Sequence, residues 1–309
     1  MTSRHGGMNL STRRLSFFAI VLAFGLIGFG EIVPDLKNGA AITTYRAIAA
    51  ILGVITVILY VKILRAKVSL PTRKAANWMM VLFSVQVLLE AFVVWFEVSS
   101  LVIASHLIIK VLFLACVLVI WGRTGSFNYA SLNYEQHKNL TVHLSIFLGL
   151  VMFTLFVGAY VRHASIGTSC GWLVCGDSLV PKTGPQLIQT THRMLQMILV
   201  VYSLLLMNWS VTKGWGEQLQ KRFKLVSMTV VIIGILGILT IVNHAEIRLA
   251  ILHVAVGLLL FAFVVEARLF ISTIVMKKGK IILFSTKHML PKKNGKLKKE
   301  IGHHKRARL

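Results

Sequence analysis

Long apolar segments recur along the chain and are separated by short polar or glycine-containing connections. Each segment approaches the ~20 residues that a helix needs to cross ~30 Å of hydrocarbon. The ten-residue segments of alternating apolar and polar positions that mark transmembrane β-strands do not occur. The pattern therefore predicts eight membrane-spanning helices, with bounds near 15–34, 43–63, 76–96, 100–121, 141–161, 187–208, 224–243 and 247–270.

Composition agrees with an integral membrane protein. Of the 309 residues, 56% are hydrophobic and 14% are charged, and the mean hydropathy is +0.76. A soluble domain typically carries about 25% charged residues. The chain is therefore expected to fold as membrane-spanning helices rather than around the water-excluding core of a soluble domain.

The net charge of +24 has to be interpreted against the bilayer. When the segments are assigned to alternate sides, 27 of the 34 Lys and Arg residues fall on one side. The positive-inside rule places that side, with both termini, in the cytoplasm, so we expect a multi-pass protein of the plasma membrane. The basic stretch from Lys277 to Leu309 would meet anionic lipid headgroups. RNA or ribosome binding is the alternative for this tail, although we expect no nucleic-acid partner.

A repeat with a constant offset relates the two halves of the chain. Tyr45 and His192 stand in matching Thr-x-Arg contexts, His106 and His253 lie early in helices 4 and 8, and both pairs are 147 residues apart. Two homologous bundles that begin on the same side of the membrane would show this offset. We predict an all-α integral membrane fold of eight transmembrane helices in two parallel-repeat four-helix bundles. Its regions are a cytoplasmic amino terminus (1–14), the first bundle (15–121), a cytoplasmic linker (122–140), the second bundle (141–270) and a basic tail (271–309).

His192 and His253 are candidate ligands of a cofactor. Ionisable side chains within a span are uncommon and usually face the interior of the bundle. Both histidines are expected at one depth, roughly 8–9 Å below the outer surface at the rise of an α-helix. Two facing imidazoles at one depth can supply both axial ligands of a haem iron through Nε2. A packing role is the alternative for either histidine, and Arg193 could meet a haem propionate or reach lipid headgroups.

The first half is chemically different, because Tyr45 stands where the second half has a histidine. Tyrosine ligates ferric haem in catalase, and a phenol hydrogen bond near the interface is the alternative. Lys110 lies one turn below His106, and Glu90 and Lys110 are expected at similar depths, as a structural ion pair or as groups that contact substrate or handle protons. Glu90 is the first acid–base candidate, and Glu31, near the end of helix 1, is the second.

Two of the three cysteines, Cys170 and Cys175, flank four residues in a predicted outer loop. An oxidising location favours a disulfide between them. A metal pair or free, exchanging thiols are the alternatives. Cys116 lies within helix 4 and is expected to be a packing residue.

These motifs resemble those of haem A synthase, a membrane enzyme family that oxidises the C8 methyl of haem O to the formyl of haem A. The resemblance lies in Gly158-Ala-Tyr-Val-Arg-His, the cysteine-containing loop 170–175, Ile188-Gln-Thr-Thr-His-Arg, and His253. It implies a haem b ligated by the second-half histidines with Arg193 beside it. It also implies a haem O substrate in the first half, with His106 in that half. We expect Tyr45, Arg46 and Lys110 to be the other residues at the substrate haem. Haem O synthase and terminal oxidase subunits are implied partners.

The first half departs from the family pattern. Ile42 and Tyr45 stand where the family has a glutamate and a histidine, and the first-half loop 35–41 lacks the family's cysteine pair. The leading hypothesis is a haem A synthase-like oxidoreductase. The rival is a haem b-binding electron-transfer or oxidase-assembly protein without methyl-oxidising activity.

Overall fold

The computed structural model describes residues 10–30, 39–123, 132, 134–171, 174–176, 178–243, 246–272, 274–277 and 280–283. Within these residues, eight helices are long and apolar enough to cross a membrane, which confirms the predicted all-α, multi-pass architecture. Glu31 lies outside the described residues. The helices are α1 Leu10–Gly30, α2 Gly39–Arg65, α3 Leu70–Trp95, α4 Ser100–Gly122, α5 Tyr134–His163, α6 Gly184–Thr212, α7 Glu217–Val242 and α8 Ile247–Ser272.

Several helices extend beyond their predicted apolar stretches. α3 begins at Leu70 rather than near residue 76, because Ser69 and Pro71 start the helix in a polar segment. Proline suits this first turn, where its missing N–H leaves no hydrogen bond unmade. α5 begins at Tyr134, within the predicted linker 122–140. After α8, strands β1 Ile274–Lys277 and β2 Lys280–Leu283 pair antiparallel at the start of the basic tail.

Helix contacts fall into two sets, the first half α1–α4 and the second half α5–α8. In the first half α1 and α3 each contact α2 and α4, and in the second half α5 and α7 each contact α6 and α8. Between the halves, α4 contacts α5 and α8, and α1 contacts α8. These contacts are compatible with two four-helix bundles, and the parallel-repeat arrangement stays a prediction.

The contact between α4 and α8 depends on a glycine. A Cβ atom at Gly122 would overlap the side chain of Leu269. Small residues allow membrane helices to approach closely, where van der Waals packing replaces the hydrophobic effect as the driving force. The outward faces of the helices carry large apolar side chains, as a lipid-facing surface requires.

Candidate functional site: a histidine pair and a cavity

The ends of α1, α3, α5 and α7 lie on the same side as the loop 164–183, which we call the disulfide side. A disulfide joins Cys170 and Cys175 in this loop, which confirms the predicted bond. α6 then begins with a capping box in which Thr183 and Gln186 satisfy each other's backbone N–H groups. This start is earlier than predicted and adds a turn before His192.

His192 and His253 come together between α6 and α8. His192 lies eight residues after Gly184 and His253 lies six residues after Ile247, roughly 12 and 9 Å along their helices. Their ring centroids are 6.3 Å apart, and the ring planes make an angle of 66°. The sequence-predicted pair is therefore adjacent in the structure.

Each of these histidines packs against a glycine on a neighbouring helix, an arrangement that we call glycine-backed. A Cβ atom at Gly158 of α5 would lie 2.8 Å from Cε1 of His192, and one at Gly237 of α7 would lie 3.2 Å from Cε1 of His253. Both separations are shorter than ordinary van der Waals contact. The two glycines thus provide the space in which the imidazoles sit.

The donor set fits a haem better than a bare metal ion. Within the described part of the chain, Nδ1 of His192 and of His253 is buried, and each imidazole lies within hydrogen-bond reach of a backbone carbonyl, that of Thr154 for His192 and that of Ile233 for His253. The side chains are only half-buried, so their accessible surface lies away from Nδ1. If a metal ion lay between the two imidazoles, the ring centroids would be separated by two metal–nitrogen bonds of ~2.0 Å and two nitrogen-to-centroid distances. This sum is close to the observed separation of 6.3 Å. Among the described residues, no cluster of three or more His, Cys, Asp or Glu side chains could hold a metal, whereas a haem needs only two axial ligands.

Hydrogen bonds connect the disulfide loop to α6 through two residues that lie before and after His192 in the sequence. The guanidinium of Arg193 donates from Nη2 to the carbonyls of Cys170 and Gly171, at 3.3 and 2.7 Å. Gln189 is 3% exposed; its Oε1 accepts from the N–H of Cys170 at 2.7 Å, and its Nε2 donates to the carbonyl of Gly167. Arg193, predicted beside a propionate, therefore also holds the loop.

In the first half, His106 is engaged by two residues of α3. Nε2 of Gln86 donates to Nε2 of His106, and Oε2 of Glu90 lies 3.4 Å from the same imidazole nitrogen. The His106 side chain is 6% exposed and that of Glu90 is 41% exposed. Nε2 of His106, the nitrogen that would bind an iron, thus already accepts a hydrogen bond from Gln86.

Lys110 links this group to Tyr45. Its Nζ lies 4.0 Å from Oε2 of Glu90 and donates to the hydroxyl of Tyr45 at 3.4 Å. A Cβ atom at Gly30 would lie 3.1 Å from Cε2 of Tyr45, so a glycine of α1 backs Tyr45 as Gly158 of α5 backs His192. The polar residues predicted for the first half are therefore close to one another.

A cavity of about 790 Å³ adjoins these residues. Its volume falls within the range of about 300–1,000 Å³ that is usual for ligand sites. The wall is mostly aliphatic and aromatic, and its polar lining residues are Tyr45, Arg46, Gln86, Glu90 and Lys110. The first half thus offers a membrane-depth cavity with charged groups at one end.

Sequence reasoning missed Gln86, Gly158 and Gly237 as site residues. The offset of 147 residues, extended to α3 and α7, pairs Glu90 with Gly237 and would have identified this glycine. Gly158 stands in a motif noted above, but only the structure shows what its missing side chain leaves room for. Gln86 has no such signal, since Ile233 is its counterpart at the same offset.

Comparison with known proteins supports these observations. The sequence model of the family described as cytochrome oxidase assembly protein matches residues 43–265. A Heme A synthase of Alkalihalophilus pseudofirmus is 26% identical over 200 residues, covering 60% of this chain and 64% of the relative. A Heme A synthase of Staphylococcus haemolyticus is 26% identical over 185 residues, covering 58% of this chain and 60% of the relative. The chain thus spans less than two thirds of the length of these relatives.

Proposed function

The chain belongs to the cytochrome oxidase assembly protein family, and from that premise we propose that it is a haem A synthase-type membrane oxidoreductase. Its reaction converts the C8 methyl of haem O into a formyl group for terminal oxidase assembly. The observation that carries the proposal is the pair of glycine-backed imidazoles, His192 and His253, with ring centroids 6.3 Å apart.

His192 and His253 would hold a haem b in the second half. When bound, this group supplies one-electron transfer. The protein's part is to fix the two rings: Gly158 and Gly237 leave room for them, and α6 and α8 set their depth. Arg193 lies next to His192, where its guanidinium suits a propionate carboxylate.

The first-half cavity would receive the haem O substrate. Arg46 lines the cavity and is exposed, so it can pair with a propionate. His106 would exchange its contacts with Gln86 and Glu90 for the substrate iron. Tyr45 lines the same cavity and accepts a hydrogen bond from Lys110.

Glu90 is the proposed acid–base group. Conversion of a methyl to a formyl takes up one oxygen from water and releases four protons and four electrons, and the electrons pass to an external acceptor. The Glu90 carboxylate lines the cavity, and its Oε2 lies 4.0 Å from Nζ of Lys110. A carboxylate in this position can accept a proton from a water that approaches the substrate methyl.

The contacts of His106 favour a second candidate function. Its Nε2 is engaged by Gln86 and Glu90, and the facing position is Tyr45. A first half that never binds haem O would leave a haem b electron-transfer or oxidase-assembly protein without methyl oxidation. The same experiment separates the two functions.

That experiment is co-expression with a haem O synthase, followed by chromatography of the haems extracted from purified protein. If the protein is the proposed enzyme, haem A should appear among the extracted haems. Glu97→Gln, which changes an exposed carboxylate beyond the end of α3, should leave the yield of haem A unchanged. Haem O that accumulates beside haem b without any haem A would rule out the oxidation and leave the second candidate.

A further inference from the structure

The first-half cavity opens sideways, between α2 and α3. Three of its lining residues are well exposed on the lipid-facing surface: Val54 at 60%, Val57 at 45% and Val87 at 53%. Residues that line a cavity and also lie on the outer face of a membrane helix border an opening to the lipid. A molecule dissolved in the bilayer can therefore enter without passing through water.

The opening is a long apolar stripe rather than a round mouth. On α2 the lining residues Arg46, Ala50, Val54, Val57 and Ile58 recur at helical spacing, which places them on one face. At a rise of about 1.5 Å per residue this face is roughly 18 Å long. It runs from the disulfide side towards the middle of the bilayer.

Polar groups are confined to one end of the stripe. Arg46 lies at its disulfide-side end, and Glu90 and Lys110 line the same end of the cavity. Towards the other end the wall consists of Val57, Ile58 and other apolar residues. This polarity suits an amphiphile whose charged groups meet Arg46 and whose long hydrocarbon chain follows the helices inward.

We propose that the opening between α2 and α3 is the subsite for the isoprenoid chain of the substrate haem, and that the chain lies along Val54, Val57 and Val87. This inference rests on the proposed function, because haem O differs from haem b by such a chain. The porphyrin occupies the cavity at the polar end, and the chain remains between the helices, in contact with lipid. Discrimination between the two haems then arises at α2 and α3 rather than at the iron.

The test is an optical titration of protein in lipid nanodiscs whose second half is already loaded with haem b. Haem O and haem b are the two probes. Haem O should bind about tenfold or more tightly, as is typical of pocket contacts with an apolar group. Val57→Trp and, on the facing helix, Val87→Trp should each remove the preference. Val81→Trp is the matched control, because Val81 is 50% exposed on α3 and is not a lining residue.

The absorption of the second-half haem b reports folding in every variant. Equal binding of haem O and haem b, or a preference that survives both tryptophan variants, would overturn the subsite and leave the proposed reaction intact. A chain-dependent preference in this titration, together with the absence of haem A in the co-expression experiment, would uphold the subsite and refute the reaction. Binding of neither haem would overturn both.

Discussion

Glu90 and Gly237 occupy equivalent positions in the two halves, 147 residues apart, and each contacts the histidine of the helix that follows it. Glu90 places its carboxylate 3.4 Å from His106, whereas Gly237 leaves open the space beside His253. The same position therefore holds a carboxylate in the half with the cavity and leaves open space in the half with the histidine pair.

Alanine at the backing glycines should reduce haem b content in a graded order. Gly158→Ala places a Cβ 2.8 Å from His192 and should lower the haem b content of the purified protein several-fold; Gly237→Ala, at 3.2 Å from His253, should lower it less. Crowding of this kind costs about 1–3 kcal/mol. Gly149→Ala on α5 is the control, since a Cβ there meets nothing within 4 Å. Equal haem content in all three variants would contradict the glycine-backed site.

Replacement of Glu90 should lower the formation of haem A without changing the haem b of the second half. Glu90→Gln keeps the size of the side chain but removes its charge, so the yield of haem A should fall by about 10²-fold or more, the usual contribution of an acid–base group. The absorption of the second-half haem b should stay the same. Glu97→Gln should match the unaltered protein in both measurements. A Glu90→Gln protein with full yield would exclude Glu90 as the acid–base group.

A two-pronged ion pair between α7 and α8 should contribute to stability. Nε and Nη2 of Arg222 donate to the carboxylate of Glu266 at 2.8–3.1 Å. Because both side chains are partly exposed, Glu266→Gln should cost about 1–3 kcal/mol, measured as the free energy of unfolding in detergent. Glu217→Gln breaks the exposed pair with Lys221 and should give no measurable change.

The disulfide should leave one thiol reactive in the unfolded chain. Under denaturing, non-reducing conditions a maleimide should label Cys116 alone, and reduction should expose the other two of the three cysteines. Mass spectrometry of the labelled chain makes the count. Three labels before reduction would show that Cys170 and Cys175 are not bonded and would contradict the disulfide.

The helices and the histidine pair could be predicted because each depends on a simple physical constraint. A span in lipid must satisfy its own backbone hydrogen bonds, so length and hydropathy suffice to find it. The offset shared by Tyr45–His192 and His106–His253 predicts which helices bring their histidines together. The helix ends were less predictable, because Ser69, Pro71 and Thr183 extend α3 and α6 into polar sequence.

The contacts within the first half could be predicted only in part. The shared depth of Glu90 and Lys110 indicated that these two residues are close. Whether Glu90 also contacts His106 depends on the rotation of α3 about its axis, which hydropathy does not determine. Gly30 and Gly158 play similar roles without sharing the offset of 147 residues. The correspondence between α1 and α5 therefore could not be found from the repeat.

The most direct test of the central claim is the low-temperature absorption and electron paramagnetic resonance of purified protein and three variants. The account predicts a low-spin haem b signal that His192→Ala and His253→Ala each abolish and that His106→Ala leaves unchanged. A low-spin signal that survives either of the first two substitutions, or that disappears only with His106→Ala, would contradict ligation by the second-half pair.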